Sequence, residues 1–192
     1  MVIGHRDPLE EVVEFLYSHF FGKYRGTVVN SKDPTDRGRI RVKVPAVLGD
    51  QQVWALPCVP YAGAGVGLYA LPEPGTAVWV EFEAGDPSFP VWTGCFWADG
   101  ELPHTSGPGV KVLRTGRTTL RLDDGTGEVR LANDLAAAVA LDARATVEAP
   151  AGLALARHVV GGTGVRSESG SGGTVEVSGT GVALNDTALR VG

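Results

Sequence analysis

The last 95 residues of this 192-residue chain, Ala98 to Gly192, contain no phenylalanine, tryptophan or tyrosine. All fourteen aromatic residues lie between Phe15 and Trp97. An ordinary globular core draws on aromatic side chains, which bury about 150–250 Å² each, so the two halves of the chain must pack by different rules. Cysteine is scarce as well. Cys58 and Cys95 are the two present, too few for a disulfide framework or a cysteine-rich zinc site. No apolar run approaches the ~18 residues of a membrane-spanning helix. The opening MVIGHRDPLEEVVEFL places acids where a signal peptide needs its apolar stretch, so no signal peptide is expected. The formal net charge of −5 argues against general nucleic-acid binding, whose affinity rests on neutralising phosphates.

What the chain has in excess is punctuation. Its 27 glycines and 12 prolines are too many for a helical protein and point to an all-β fold rich in turns. The charge divides where the aromatics do: residues 1–106 carry eight basic and thirteen acidic residues, residues 107–192 nine of each. The segment ELPHTSGPG, residues 101–109, reads as the linker. The expected organisation is therefore a helix in 1–22, a barrel domain in 23–100, the linker, and a β-structured shaft and tip in 110–192.

The helix signal is local and strong. Asp7, Pro8 and Glu10 suit an N-cap, a first-turn proline and a capping acid. Leu9, Val12, Val13, Leu16 and Phe20 form an amphipathic stripe, and Gly22 is the expected stop. Such a helix either packs on its own domain or docks on a partner; Phe15, Tyr17 and Phe21, off the stripe, favour docking. From Lys23 to Trp97 the apolar period changes to two. Tyr24–Val29, Ile40–Val44, Val53–Val59, Ala77–Phe82 and Val91–Phe96 are five principal strands, with a glycine-rich stretch around Gly63–Gly67. Five short strands in about 75 residues suit an OB-fold barrel.

Beyond Val110 apolar residues come as pairs two apart: Leu120/Leu122, Val129/Leu131, Val139/Leu141, Ala145/Val147, Leu153/Leu155, Val175/Val177, Val182/Leu184 and Leu189/Val191. Each unit is a strand too short to bury its own face, so the units must stack. Small apolar side chains without aromatics predict a narrow core. One chain cannot close it with a single short strand per turn, whereas three chains can, which favours an intertwined trimeric β-helix over a single-chain solenoid. The thirteen pair residues from Leu120 to Leu184 other than Ala145 would line the trimer core. GGTGVRSESGSGG, residues 161–173, is expected to leave the shaft as a loop. Leu189 and Val191 carry the apolar pattern to the penultimate residue and are expected to dock a separate tip protein.

The segments Asp33–Val42 (D-P-x-x-x-G-R-I-R-V), Pro72–Glu83 (P-x-x-G-x-x-V-W-V-E-F-E) and Gly85–Gly94 (G-D-P-x-x-P-V-W-x-G) together resemble the baseplate assembly protein V and VgrG-type spikes of contractile phage tails and injection systems. The resemblance implies an OB-fold followed by a trimeric β-helix, a hub and inner-tube proteins as partners, and a spike driven through the target envelope. It also implies assembly in the cytoplasm followed by residence in a tail-like particle, with membrane contact only during puncture. Spikes of this family that hold an apical iron do so through H-x-H. The last 30 residues here have no histidine, which points instead to a PAAR-type tip protein.

No catalytic set is expected. The segment from Trp97 to Val110 leaves no room for the lysozyme domain that some such spikes carry, and the acid pairs Glu81/Glu83 and Asp123/Asp124 read as strand-face and turn residues. His5, His19, His104 and His158 lack metal-ligand spacing, so neither metal nor cofactor is expected. Cys58 and Cys95 are expected as buried apolar residues. The rival reading from another class is an OB-fold module on a trimeric stalk that binds an oligonucleotide or oligosaccharide, using Arg37, Arg39, Arg41 and Lys43 with Trp54, Tyr61 and Tyr69. A polysaccharide-degrading β-helix would need a clustered acidic set and sugar-stacking aromatics, both missing from the shaft.

Overall fold

A computed structural model describes residues 7–103, 107–151, 154–185 and 189–191. The chain divides into two compact units, Met1–Glu101 and Leu102–Gly192.

In the first unit, helix α1 spans Pro8–Ser18, and the Asp7 carboxylate accepts the Leu9 N–H at its start. The helix ends four residues before the expected Gly22. His19 is extended, and the Phe20 N–H donates to the Gly85 carbonyl at 2.7 Å, drawing the chain onto the barrel. Phe20 therefore leaves the stripe and packs on Phe82 and Tyr24. Gly85, at φ +83°, admits this approach, because a Cβ there would lie 2.9 Å from the Phe21 ring. No residue of α1 is buried.

Five strands close a barrel: β1 (Tyr24–Asn30), β2 (Ile40–Lys43), β3 (Gln52–Pro57), β6 (Ala77–Phe82) and β7 (Pro90–Cys95). Their order is β1-β2-β3-β7-β6, with β6 returning to β1 and β3 parallel to β7. This is the expected OB-fold barrel. Between β2 and β3 lies the short helix α2 (Pro45–Leu48), and between β3 and β6 a two-stranded hairpin of β4 (Ala62–Gly63) and β5 (Val66–Gly67). Period-two alternation sends Val28, Ile40, Val42, Val44, Val78, Val80 and Phe82 inward, with Trp92, into one core. Gly26 permits the tight crossing of β1, where a Cβ would meet the Lys43 carbonyl oxygen at 3.0 Å.

The second unit is one ten-stranded meander. Its strands are β8 (Val110–Arg114), β9 (Thr118–Asp123), β10 (Glu128–Asn133), β11 (Ala138–Leu141), β12 (Ala145–Ala151), β13 (Ala154–Gly161), β14 (Gly164–Glu168), β15 (Thr174–Ser178), β16 (Gly181–Leu184) and β17 (Leu189–Val191). Each pairs antiparallel with the next in chain order. The expected loop of residues 161–173 is corrected here: it contains β14, paired on both sides. A second correction concerns the cysteines, which are exposed rather than buried. Cys95 closes β7, and Cys58 follows β3, its N–H donating to the Trp92 carbonyl.

Candidate assembly surfaces

The register of the meander brings most of its apolar residues into two columns on one face. The first runs Leu113, Leu120, Leu131, Val139, Val147, His158, Ser167, Val175, Leu184 across β8–β16. The second runs Lys111, Leu122, Val129, Leu141, Ala145, Val160, Val165, Val177, Val182. Leu189 and Val191 pair with Leu184 and Val182 and so continue both columns in register. Leu113, Leu131 and Leu141 are 63%, 53% and 48% exposed. Among the described residues nothing covers this largely apolar face.

Eleven of the residues expected to line a trimer core occupy these columns. Leu155 does not. It pairs with Pro150, while the column positions of β12 and β13 pair Val147 with His158 and Ala145 with Val160, so Leu155 faces the other way. Leu153 lies outside the described residues. Sequence reading missed Val160 and Val165 because their column mates are His158 and Ser167, so neither belongs to an apolar pair two apart. The signal that could have found them was the alternation through Gly164–Glu168, taken instead for a loop.

The opposite face is an ion-pair ladder. Arg121 bridges Asp123 and Glu128, Glu148 accepts from Arg130 and Arg157 at 3.4 and 2.8 Å, and Arg166 reaches Glu168 and Glu176 at 2.7 and 2.9 Å. Ala138, the register partner of Glu148 on this face, is buried. The charged face is thus better covered than the apolar one, the reverse of a sheet that folds for its own sake.

On α1, Leu9, Val12, Val13 and Leu16 are all exposed. Phe15 stacks on His19 at 3.9 Å, and Phe21 joins them at 6.2 Å from each ring. Tyr17, two residues from Phe15 and hence on the other flank of the helix, is 83% exposed.

The basic strand invoked for ligand binding is partly committed elsewhere. Asp33, half-buried with its side chain 3% exposed, accepts from the backbone N–H groups of Thr35, Arg37 and Arg39 and from the Arg39 guanidinium at 2.8 Å. The Arg39 guanidinium holds the Asp33 carboxyl well below the usual carboxylate range and lies over the Trp54 ring, 5.5 Å from its centroid. The D-P-x-x-x-G-R-I segment is therefore a clasp that shapes the β1–β2 connection. A cavity of about 410 Å³ lies beside it, lined among others by Arg37, Val59, Tyr61 and Tyr69.

The acid pairs serve structure. Glu81 pairs with Lys23, whereas Glu83 opens a helical turn rather than continuing the strand face. Asp123 ties the β9–β10 turn through the Gly125 and Thr126 N–H groups, and Asp124 pairs with Lys111. His5 and His104 lie outside the described residues. Among the described ones no group of three His, Cys, Asp or Glu side chains could hold a metal, and no helix is long and apolar enough to cross a membrane.

No curated protein matches the chain. Residues 24–97, from the start of β1 to just past β7, match the model of a family described as the type VI secretion system/phage-baseplate injector OB domain. Over these residues the barrel matches the injector OB domain of phage baseplates and type VI secretion systems, a match that supports a structural baseplate role.

Proposed function

We propose that the chain is the central spike of a contractile tail or tail-like injector: three copies wind into one shaft that plugs the tail tube and is driven through the target envelope. The observation that carries this reading is the pair of aliphatic columns left uncovered by the chain. Two columns, two residues apart along each strand, make a face only about 7 Å wide. Two such sheets stacked about 10 Å apart would leave both long edges of their core open to water. Three faces around an axis close it. The ion-pair ladders then point outward, giving a polar, neutral surface suited to sliding through an envelope. Ten strands at about 4.8 Å spacing make each face about 43 Å long.

In this arrangement α1, with Phe15, Tyr17 and Phe21, is the docking element toward hub and inner-tube proteins. An eleven-residue helix is marginal alone in water, so its exposed stripe is stable only when covered. At the edge of the meander β17 carries Leu189 and Val191, the docking position for a PAAR-type tip protein. The role requires no hydrolase, metal or nucleic acid. The ligand-binding alternative draws on the cavity beside Tyr61 and Tyr69, but Arg39, the centre of its basic strand, is already spent on Asp33. A shift of labelled oligonucleotide that persists at physiological salt would favour it.

The test is stoichiometry and position in the particle. Affinity-tagged chain incorporated into its parent particle should label the baseplate axis at three copies per tail. Six copies, or label on the sheath or tube, would contradict the reading. Removing Leu189 to Gly192 should leave three copies in place and release the tip protein.

A further inference from the structure

The aliphatic columns are interrupted at one level. Between Val147 and Val175 the first column passes through His158 and Ser167, register partners on adjacent strands. Their side chains share a hydrogen bond, His158 Nδ1 to Ser167 Oγ, at 2.8 Å. Beside them in the second column stand Val160 and Val165. Among the described residues of β9–β16, His158 is the one titratable side chain that the register puts in these columns.

We propose that the His158–Ser167 pair is the register-setting layer through which three copies of this chain recognise one another; this rests on the trimeric reading above. The problem it solves is degeneracy. Columns of Val and Leu repeat at the strand spacing of about 4.8 Å. Sliding one chain past its neighbours by one hairpin, about 10 Å, again places aliphatic side chains on aliphatic side chains. Apolar burial is non-directional, so it barely distinguishes the slipped from the aligned shaft. A polar pair does. In register, three imidazoles and three hydroxyls meet at one level and bond across chains as well as within them. Out of register each pair faces only valine and leucine and loses those partners, a loss that buried polar groups do not tolerate. A single polar position in the seam of a coiled coil fixes register in the same way, at a cost in stability.

The test uses the full chain with Cys58 and Cys95 changed to serine and one spin label at Ala143→Cys, in the exposed β11–β12 turn. Pulsed dipolar spectroscopy on this background should give one narrow distance, the edge of an equilateral triangle. Adding His158→Val with Ser167→Val should keep the trimeric mass, raise the melting temperature and add longer distances from slipped shafts. Ser167→Val alone strands the imidazole and should melt below both. A double variant with the same single distance, or one that no longer assembles, would overturn the proposal. A background that is not trimeric would overturn the trimeric reading itself, which is a separate failure.

Discussion

In the barrel, Val28, Ile40, Val42, Val78 and Val80 are at most 2% exposed, whereas Leu113, Leu131, Leu141 and Val147 of the meander are 48–63% exposed. Both sheets use the same alternation of apolar and polar residues. They differ in closure. The barrel returns β6 to β1 and fills its interior with Phe82 and Trp92, so one chain completes its core. The meander never returns. It holds its strands by ladder hydrogen bonds and by Arg–Glu pairs on one face, and leaves the other face unfinished. Closure within a chain gives a self-sufficient folding unit; in the proposed trimer the open aliphatic face would make folding and assembly one event.

Reversing the apolar character of the open face should have the largest effect. In the proposed trimer, Leu141→Asp or Val177→Asp would put three unpaired charges near the shaft axis, each costing several kcal/mol even after relaxation. The variants should lose trimer mass by light scattering while the barrel stays folded. All four tryptophans lie in residues 54–97, so tryptophan fluorescence reads the barrel alone, and an unchanged spectrum beside a lost assembly would separate the two units.

The converse variant, Ile40→Ala, removes a fully buried barrel side chain and should cost about 2–5 kcal/mol of barrel stability. Its tryptophan transition should move to lower denaturant while the mass of the assembly holds. Loss of both together would show that the units are not independent.

Asp33→Asn offers a pH-resolved probe of the barrel. The carboxyl's folded pKa is depressed by Arg39, so its contribution is fully present above the unfolded value near ~4 and is lost as pH falls through the folded one. The variant should be less stable than the parent at pH 7, with the gap narrowing as both are acidified below about pH 4. A gap independent of pH would mean that the clasp acts through shape alone.

The smallest effect is expected on the charged face. Glu148→Gln leaves Arg130 and Arg157 without their shared carboxylate and should cost about 1 kcal/mol, less at high salt. Equal loss at low and high salt would assign Glu148 a packing role instead.

Much of this was legible in the sequence, for identifiable reasons. The barrel strands follow from period-two alternation between turn signals, and Ala77–Phe82 matches residue for residue. The stop of α1 was not legible, because it is set by a tertiary bond from Phe20 to Gly85 rather than by Gly22. Exposure of Cys58 and Cys95 was equally hidden, since a residue at a strand end escapes the burial its neighbours imply. In the meander, spacing alone found most of the column residues but misplaced Leu155 and hid Val160 and Val165. Faces are decided by pairing register, and a polar residue within a column, such as His158, breaks the very pattern that spacing detects.

The central claim, that the open face is completed by two further copies of the chain, is tested most directly by the mass of the purified protein in solution across a dilution series. The account predicts about 60 kDa, three times 20.1 kDa, resistance to mild SDS, and a melting temperature that falls on dilution. A 20.1 kDa monomer whose ten-stranded sheet stays folded at every concentration would contradict it.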